Sequence, residues 1–125
     1  MLFRSELKSL NLSGCALADI APLVALTGLQ TLDLTNNTAS DITALSALTE
    51  LRELHLTNNP IKSITYLNNC LSLERLYIEN CGIVRLSGIA GNASLQELYC
   101  SGNEIADLSV LSGCTALRVD RKSVV

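Results

Sequence analysis

Few side chains in this 125-residue chain have the chemistry of a reactive site. There is one histidine, His55, and Tyr77 and Tyr99 follow it at intervals of 22 residues. An imidazole can act as a general base, but only beside a nucleophile and inside a pocket that excludes water. Asp33, 22 residues before His55, is placed to pair with the ring, yet no nucleophile stands next to it. Five cysteines, Cys15, Cys70, Cys81, Cys100 and Cys114, invite a metal or disulfide reading. No two have the C-x₂-C spacing of a metal site. There is no phosphate-binding loop and no glycine-rich dinucleotide motif. The expectation is a protein that is not an enzyme and has no cofactor and no bound metal.

The interval of 22 extends far beyond His55. Leucines recur at Leu7, Leu29, Leu51, Leu73, Leu95 and Leu117 without insertion or deletion. Counting each of these as place one, place four holds Leu10, Leu32, Leu54, Leu76 and Leu98, and place six holds Leu12, Leu34, Leu56, Ile78 and Cys100. Place nine holds Cys15, Asn37, Asn59, Cys81 and Asn103. Ile20, Ile42, Ile64, Leu86 and Leu108 share place fourteen; Leu23, Leu45, Leu67, Ile89 and Leu111 share place seventeen. A fixed short period decides the fold before any local motif does. The L-x-L alternation makes a short strand with its leucines inward. One coil cannot bury its apolar face alone, so coils stack. Residues in one column then become neighbours in adjacent parallel strands, about 4.8 Å apart.

The pattern L-x-x-L-x-L-x-x-N resembles the leucine-rich repeat family over residues 7 to 119. Asp19-Ile20-Ala21-Pro22-Leu23 is similar to the D-I-x-P-L of bacterial internalins and of phosphatase-regulatory leucine-rich repeat proteins, both of the 22-residue class. The resemblance implies an α/β leucine-rich repeat solenoid. It would have a curved parallel β-sheet on the concave side and 3₁₀ or short helical turns on the convex side. The spacing agrees, because too few residues separate the strands for a long helix. Asp19, Asp41, Ser63 and Asp107 precede the apolar place fourteen and can accept hydrogen bonds from the first amides of a turn; Arg85, at that place in the fourth repeat, cannot. In this family the inward asparagine of place nine satisfies backbone groups where the chain leaves the strand, so Asn37, Asn59 and Asn103 are expected to be structural.

Length and composition bound the rest. The expected organisation is one domain, 1–125, with repeats 7–28, 29–50, 51–72, 73–94 and 95–116 and a partial sixth strand at 117–121. Hydrophobic residues make up 48% and aromatic residues 3%, so the core must be a ladder of aliphatic side chains. A net charge of −3 gives no reason to expect nucleic acid. No apolar run is long enough to span a membrane. The cysteines fall in columns that keep them apart, and buried free thiols are expected. Free thiols and the absence of an apolar leader favour a cytoplasmic location; the sequons at Asn11, Asn36 and Asn92 favour an extracellular surface. Phe3 is a poor cap for the first coil, and Asp120 and Lys122 interrupt the inward pattern at the other end. Such ends are expected of a fragment of a longer solenoid, with self-association through uncapped ends as the alternative. Ser123-Val124-Val125 resembles a C-terminal ligand of PDZ domains.

Function in a solenoid usually lies on the concave sheet. Its outward positions are small and polar in the first two repeats. In the later ones they become His55, Tyr77 and Tyr99, bordered by Arg52, Glu53, Glu74, Arg75 and Glu97. An aromatic centre inside a polar rim resembles a protein-binding surface. The expected function is a non-catalytic protein–protein interaction module, a scaffold or regulatory subunit binding a protein partner on this face. The alternative is a secreted or cell-surface adhesion and recognition domain.

Overall fold

The computed structural model describes residues 6–118. Leucines at places four and six, alternating with polar residues, form five short strands: β1 Ser9–Asn11, β2 Thr31–Asp33, β3 Glu53–His55, β4 Arg75–Tyr77 and β5 Glu97–Tyr99. They make one parallel sheet in the order β1-β2-β3-β4-β5. The register is constant, with Leu10, Leu32, Leu54, Leu76 and Leu98 in one line across the sheet. The hydrogen-bond ladder outruns the strands at both ends. The Gln30 amide donates to the Lys8 carbonyl at 2.8 Å, and the Gly14 amide to the Thr35 carbonyl at 2.9 Å.

Opposite the sheet lie five 3₁₀ turns: η1 Ala21–Ala25, η2 Thr43–Ala47, η3 Thr65–Leu67, η4 Ser87–Ile89 and η5 Ser109–Gly113. This is the expected α/β leucine-rich repeat solenoid, with short turns and, among the described residues, no long helix. The turns start where the sequence places their polar residues. Asp19, Asp41 and Asp107 each accept a hydrogen bond from the amide two residues on, at 2.8–3.0 Å. Ser63 does the same more weakly, at 3.3 Å from the Thr65 nitrogen. Pro22 occupies the start of η1, where no amide donor is needed.

The core fills the space between sheet and turns. Leu32, Leu54, Leu76 and Leu98 from the sheet are buried, as are Ile42, Leu45, Ile64, Leu67, Leu86 and Ile89 from the turns. Place eleven adds an apolar column, Ala39, Ile61 and Ile83. Burial falls away at the ends of the stack. Leu10, Leu12 and Leu17 are only partly buried, and Leu108, expected to point inward, is 43% exposed. A solenoid residue is covered by the coils on both sides of it, and Leu108 has a described coil on one side only.

The chain leaves each strand through a residue with left-handed backbone. These are Gly14, Asn36, Asn58, Asn80 and Gly102, all at place eight with φ between 54° and 74°. Only glycine and asparagine adopt this conformation readily, and the column contains nothing else. One residue later the buried asparagines join adjacent coils. The Asn37 side-chain oxygen accepts from the amides of Cys15 and Leu17 at 3.0 and 2.9 Å. Its nitrogen donates to the carbonyls of Leu12 and Leu34 at 3.0 and 2.8 Å. Asn103 repeats the same four bonds one coil from Cys81. Cys81 reproduces half of the arrangement: its thiol lies 3.1 Å from the Leu56 carbonyl.

A second polar column runs through place twenty. The sequence leaves Asn92 as a lapse in the apolar pattern or a wider loop, and the structure corrects both readings. Asn92 is buried, and its side-chain nitrogen donates to the Cys70 carbonyl at 3.2 Å. Cys70 and Cys114 reach back from the same place to the carbonyls of Leu45 and Ile89. The sequon nitrogen of Asn92 is thus committed inside the fold, while Asn11 and Asn36 are exposed. No disulfide joins any of the five cysteines among the described residues. Four are buried, but Cys15 is exposed, contrary to the expectation for all five. It stands in the first coil, where no described coil covers it.

The expected end features mostly lie outside the described residues. These are Phe3, Asp120, Lys122, the Ser123-Val124-Val125 end and the sixth strand beyond Arg118. Leu117 and Arg118 are not in a strand, although the Arg118 amide extends the ladder to the Gln96 carbonyl at 2.8 Å.

Candidate functional site

Parallel in-register strands put every side chain of place five in one line on the outer face of the sheet. That line reads Asn11, Asp33, His55, Tyr77 and Tyr99. Its two halves behave differently. Asn11 and Asp33 have side chains short enough to turn back on their own backbone, accepting the amides of Ser13 and Thr35 at 3.0 and 2.9 Å. This local bond is typical of Asn and Asp at a strand end. The longer aromatic residues cannot make it and stack on one another instead. The His55 and Tyr77 rings are 4.1 Å apart and within 5° of parallel. The Tyr77 and Tyr99 rings are 4.5 Å apart and within 4° of parallel.

The neighbouring column, place three, braces the stack. The Arg75 guanidinium lies between two carboxylates, 3.3 Å from Glu53 and 3.3 Å from Glu97. Glu53 turns its other oxygen to His55 Nε2 at 2.7 Å. The Tyr99 hydroxyl donates to the other oxygen of Glu97 at 2.7 Å. A network thus runs His55–Glu53–Arg75–Glu97–Tyr99 and holds both ends of the stack. The Tyr99 hydroxyl and Arg75 keep the Glu97 carboxyl below its ordinary range. Glu97 and Glu53 in turn raise Arg75. Burial, followed by the charge of Glu53, raises the Tyr77 phenol. Among the described residues the Tyr77 hydroxyl has no hydrogen-bond partner.

The sequence-derived site residues separate into two groups. His55, Tyr77, Tyr99, Glu53, Arg75 and Glu97 come together in the network. Arg52 and Glu74, at place two, have opposite signs, but no ion pair joins them among the described residues. The suggested pairing of His55 with Asp33 is corrected: Asp33 is committed to Thr35, and Glu53 reaches the imidazole from the same strand. Sequence reasoning missed Glu79, at place seven. Its carboxylate accepts the hydroxyls of Thr57 and Ser101 from the adjacent coils, both at 3.3 Å. Its signal was present, since a single acid stands in a column otherwise of Ser and Thr.

The face is an open sheet, not a cleft. A shallow depression of about 350 Å³, lined by Arg85, Leu86, Ser87, Asp107 and Val110, lies on the side of the turns, away from the aromatic column. No helix among the described residues is long and apolar enough to cross a membrane.

Comparison with known proteins agrees with the repeat fold. A sequence profile described as Leucine Rich repeats (2 copies) matches residues 5–47 and again 49–91. No curated protein sequence matches the chain. Among solved structures, it is similar to an internalin C2 from Listeria monocytogenes, with 32% identity and a TM-score of 0.88 over 90% of this chain and 50% of that one. An internalin F from the same organism is 24% identical with a TM-score of 0.74, over 91% of this chain and 40% of that one, and shows the fold alone. The TLR13–ssRNA13 complex contains a chain 26% identical, with a TM-score of 0.65 over 89% of this chain and 20% of that one. The chain spans half or less of the length of each.

Proposed function

The chain belongs to the leucine-rich repeat family, and from that membership we propose that it is a non-catalytic protein–protein interaction module, a scaffold or regulatory subunit that grips a protein partner on its concave sheet. The observation that carries the reading is the His55–Tyr77–Tyr99 stack. The aliphatic core lies on the opposite side of these strands, so the fold does not need large aromatic side chains here. The network through Arg75 fixes them before any partner arrives. Rings already held in place lose less side-chain entropy on binding, which favours affinity. Tyrosine and arginine are also among the residues that most often dominate binding energy. Arg52 and Glu74 would form part of the polar rim.

A second reading, a secreted or cell-surface recognition domain, is favoured by the likeness to internalin C2. We place the protein in the cytoplasm because Cys15 is an exposed free thiol, and such thiols persist in reducing compartments. Alkylating the freshly isolated native protein separates the readings: a free Cys15 supports the cytoplasm, and a Cys15 in a mixed disulfide supports the exterior.

Photo-crosslinking tests the binding face. A photoreactive residue at Thr57, on the sheet, should capture a partner in the cells that make the protein, and one at Tyr66, on η3, should not. Tyr77→Ala or Tyr99→Ala should then weaken capture while leaving folding intact, a loss of about 2 kcal/mol or more if either residue is a hot spot. Adducts from Tyr66 alone would move the site to the other face.

A further inference from the structure

We propose that the partner segment gripped by this face is basic, and that one of its Lys or Arg side chains seats between the Glu79 carboxylate and the Tyr77 hydroxyl. The proposal rests on the concave-face reading above and names the chemistry of its partner. Charge across the sheet is graded along the strand direction. Over the five complete coils place two, where the chain enters the sheet, has Lys8 and Arg52 against Glu74, a net charge of +1. Place three has Glu53 and Glu97 against Arg75, a net −1. Places five and seven have Asp33 and Glu79 and no Lys or Arg among the described residues, a net −2 with His55 neutral. The aromatic column therefore stands on the acidic half of the face.

The acids of that half are not equivalent. Glu53 and Glu97 share Arg75 as a counter-ion. Asp33 is turned back onto the Thr35 amide. Glu79 has only neutral hydroxyl donors, from Thr57 and Ser101, and no cation within ion-pair distance among the described residues. Those hydroxyls hold the carboxylate still without neutralising it. Tyr77, two residues earlier on the same face of the sheet, presents a hydroxyl with no hydrogen-bond partner among the described residues. A half-buried carboxylate without a counter-ion and a free phenol oxygen together offer two acceptors to one ammonium or guanidinium. The flanking rings supply apolar surface for its methylene stem. Arg is the better fit of the two, since its planar fork can donate to both groups at once. An acidic segment would instead meet Asp33 and Glu79, and like charges brought together across an interface disfavour binding.

Selection from a library of random 12-residue peptides displayed on phage, with the full chain immobilised, tests the proposal. The expected result is enrichment of sequences with Lys or Arg beside an apolar residue. Their synthetic versions should bind about tenfold more weakly to Glu79→Gln, and more weakly as salt rises. Glu79→Gln keeps an oxygen to accept one of the two hydroxyls, and its amide N–H can donate to the other, so its circular dichroism and melting should match the parent chain. Glu104→Gln, which removes an exposed acid off the sheet, should leave binding unchanged. If the selected peptides lose binding in Tyr77→Ala but lack basic residues, or ignore Glu79→Gln, the basic-partner inference is overturned and the concave-face reading stands. If they bind equally to Tyr77→Ala and Glu79→Gln, both fall. An empty selection also counts against both.

Discussion

Replacing Asn59 by alanine should be among the most damaging single changes in the molecule. Asn59 is 2% exposed and makes three strong bonds to backbone. It accepts from the Ala39 amide at 3.1 Å and donates to the Leu34 and Leu56 carbonyls at 2.9 and 2.8 Å. Alanine would strand the Ala39 amide at a buried bend and take one of two donors from each carbonyl, leaving Leu34 with Asn37 and Leu56 with the Cys81 thiol. An unsatisfied buried group costs about 1–3 kcal/mol and a lost hydrogen bond about 0.5–1.5 kcal/mol, so one stranded amide and two lost bonds should cost about 2–6 kcal/mol. That is a large part of the roughly 5–15 kcal/mol that holds a domain folded. The protein itself supplies the comparison. Cys81 occupies the same place one coil later, and its thiol, a weak donor, reaches the Leu56 and Glu79 carbonyls at 3.1 and 3.3 Å. Asn59→Cys should therefore cost roughly half as much as Asn59→Ala. Urea denaturation with an unchanged slope measures both. Hydrogen exchange at the Ala39 amide adds a local readout, faster in Asn59→Ala than in the parent chain. A cost below about 1 kcal/mol for alanine, or equal costs for alanine and cysteine, would refute the idea that these bonds tie the coils together.

Other perturbations follow from the same stacking. Leu54→Ala removes a fully buried side chain between Leu32 and Leu76 and should cost about 2–5 kcal/mol; Leu10→Ala, at the partly buried end of that line, should cost less, and equal or reversed costs in chemical denaturation would count against the ladder. Gly88→Ala would bring a methyl group to 1.8 Å from the Ile64 carbonyl oxygen. The obstacle is backbone, so the coils must part, and the melting temperature should fall further than for Gly113→Ala, whose nearest obstacle is 3.1 Å away. Thiol labelling at pH 8 should modify Cys15 quickly and the other four only on unfolding, since burial pushes Cys70 and Cys100 up to about 11. Fast labelling of more than one thiol in the folded protein would contradict the burial of the other four.

Much of this architecture was legible in the sequence because a repeat without insertions converts spacing into position. Leu32, Leu54 and Leu76 needed only arithmetic to be placed side by side, and so did His55, Tyr77 and Tyr99. The polar starts of the turns were equally plain, since Asp19, Asp41 and Asp107 stand one residue before the apolar place they serve. Arithmetic fails where the outcome depends on side-chain length or on the ends of the stack. His55 shares a column with Asp33, yet pairs with Glu53, because Asp33 can reach its own backbone and the longer Glu53 can reach the imidazole. Asn92 looked like an error in an apolar column because Leu26 and Leu48 occupy it earlier. From Cys70 onward that column instead bonds to the carbonyls of the preceding coil. Leu108 fits the apolar pattern perfectly and is still exposed, because a pattern names the inward side and only a neighbouring coil makes it an interior.

The parallel tyrosines have an optical consequence. The chain has no tryptophan and three tyrosines, so its near-ultraviolet signal comes mainly from these phenols. Tyr66 is alone on a turn, while Tyr77 and Tyr99 face each other at 4.5 Å, a separation at which their transition dipoles couple. Their absorption and circular dichroism will therefore report on the pair rather than on two separate rings. Any ligand that slides between the rings, tilts one, or draws the Tyr77 hydroxyl away will change that signal, while Tyr66 provides an unshifted background. The candidate site thus contains its own spectroscopic probe, and occupancy can be followed in the unlabelled protein.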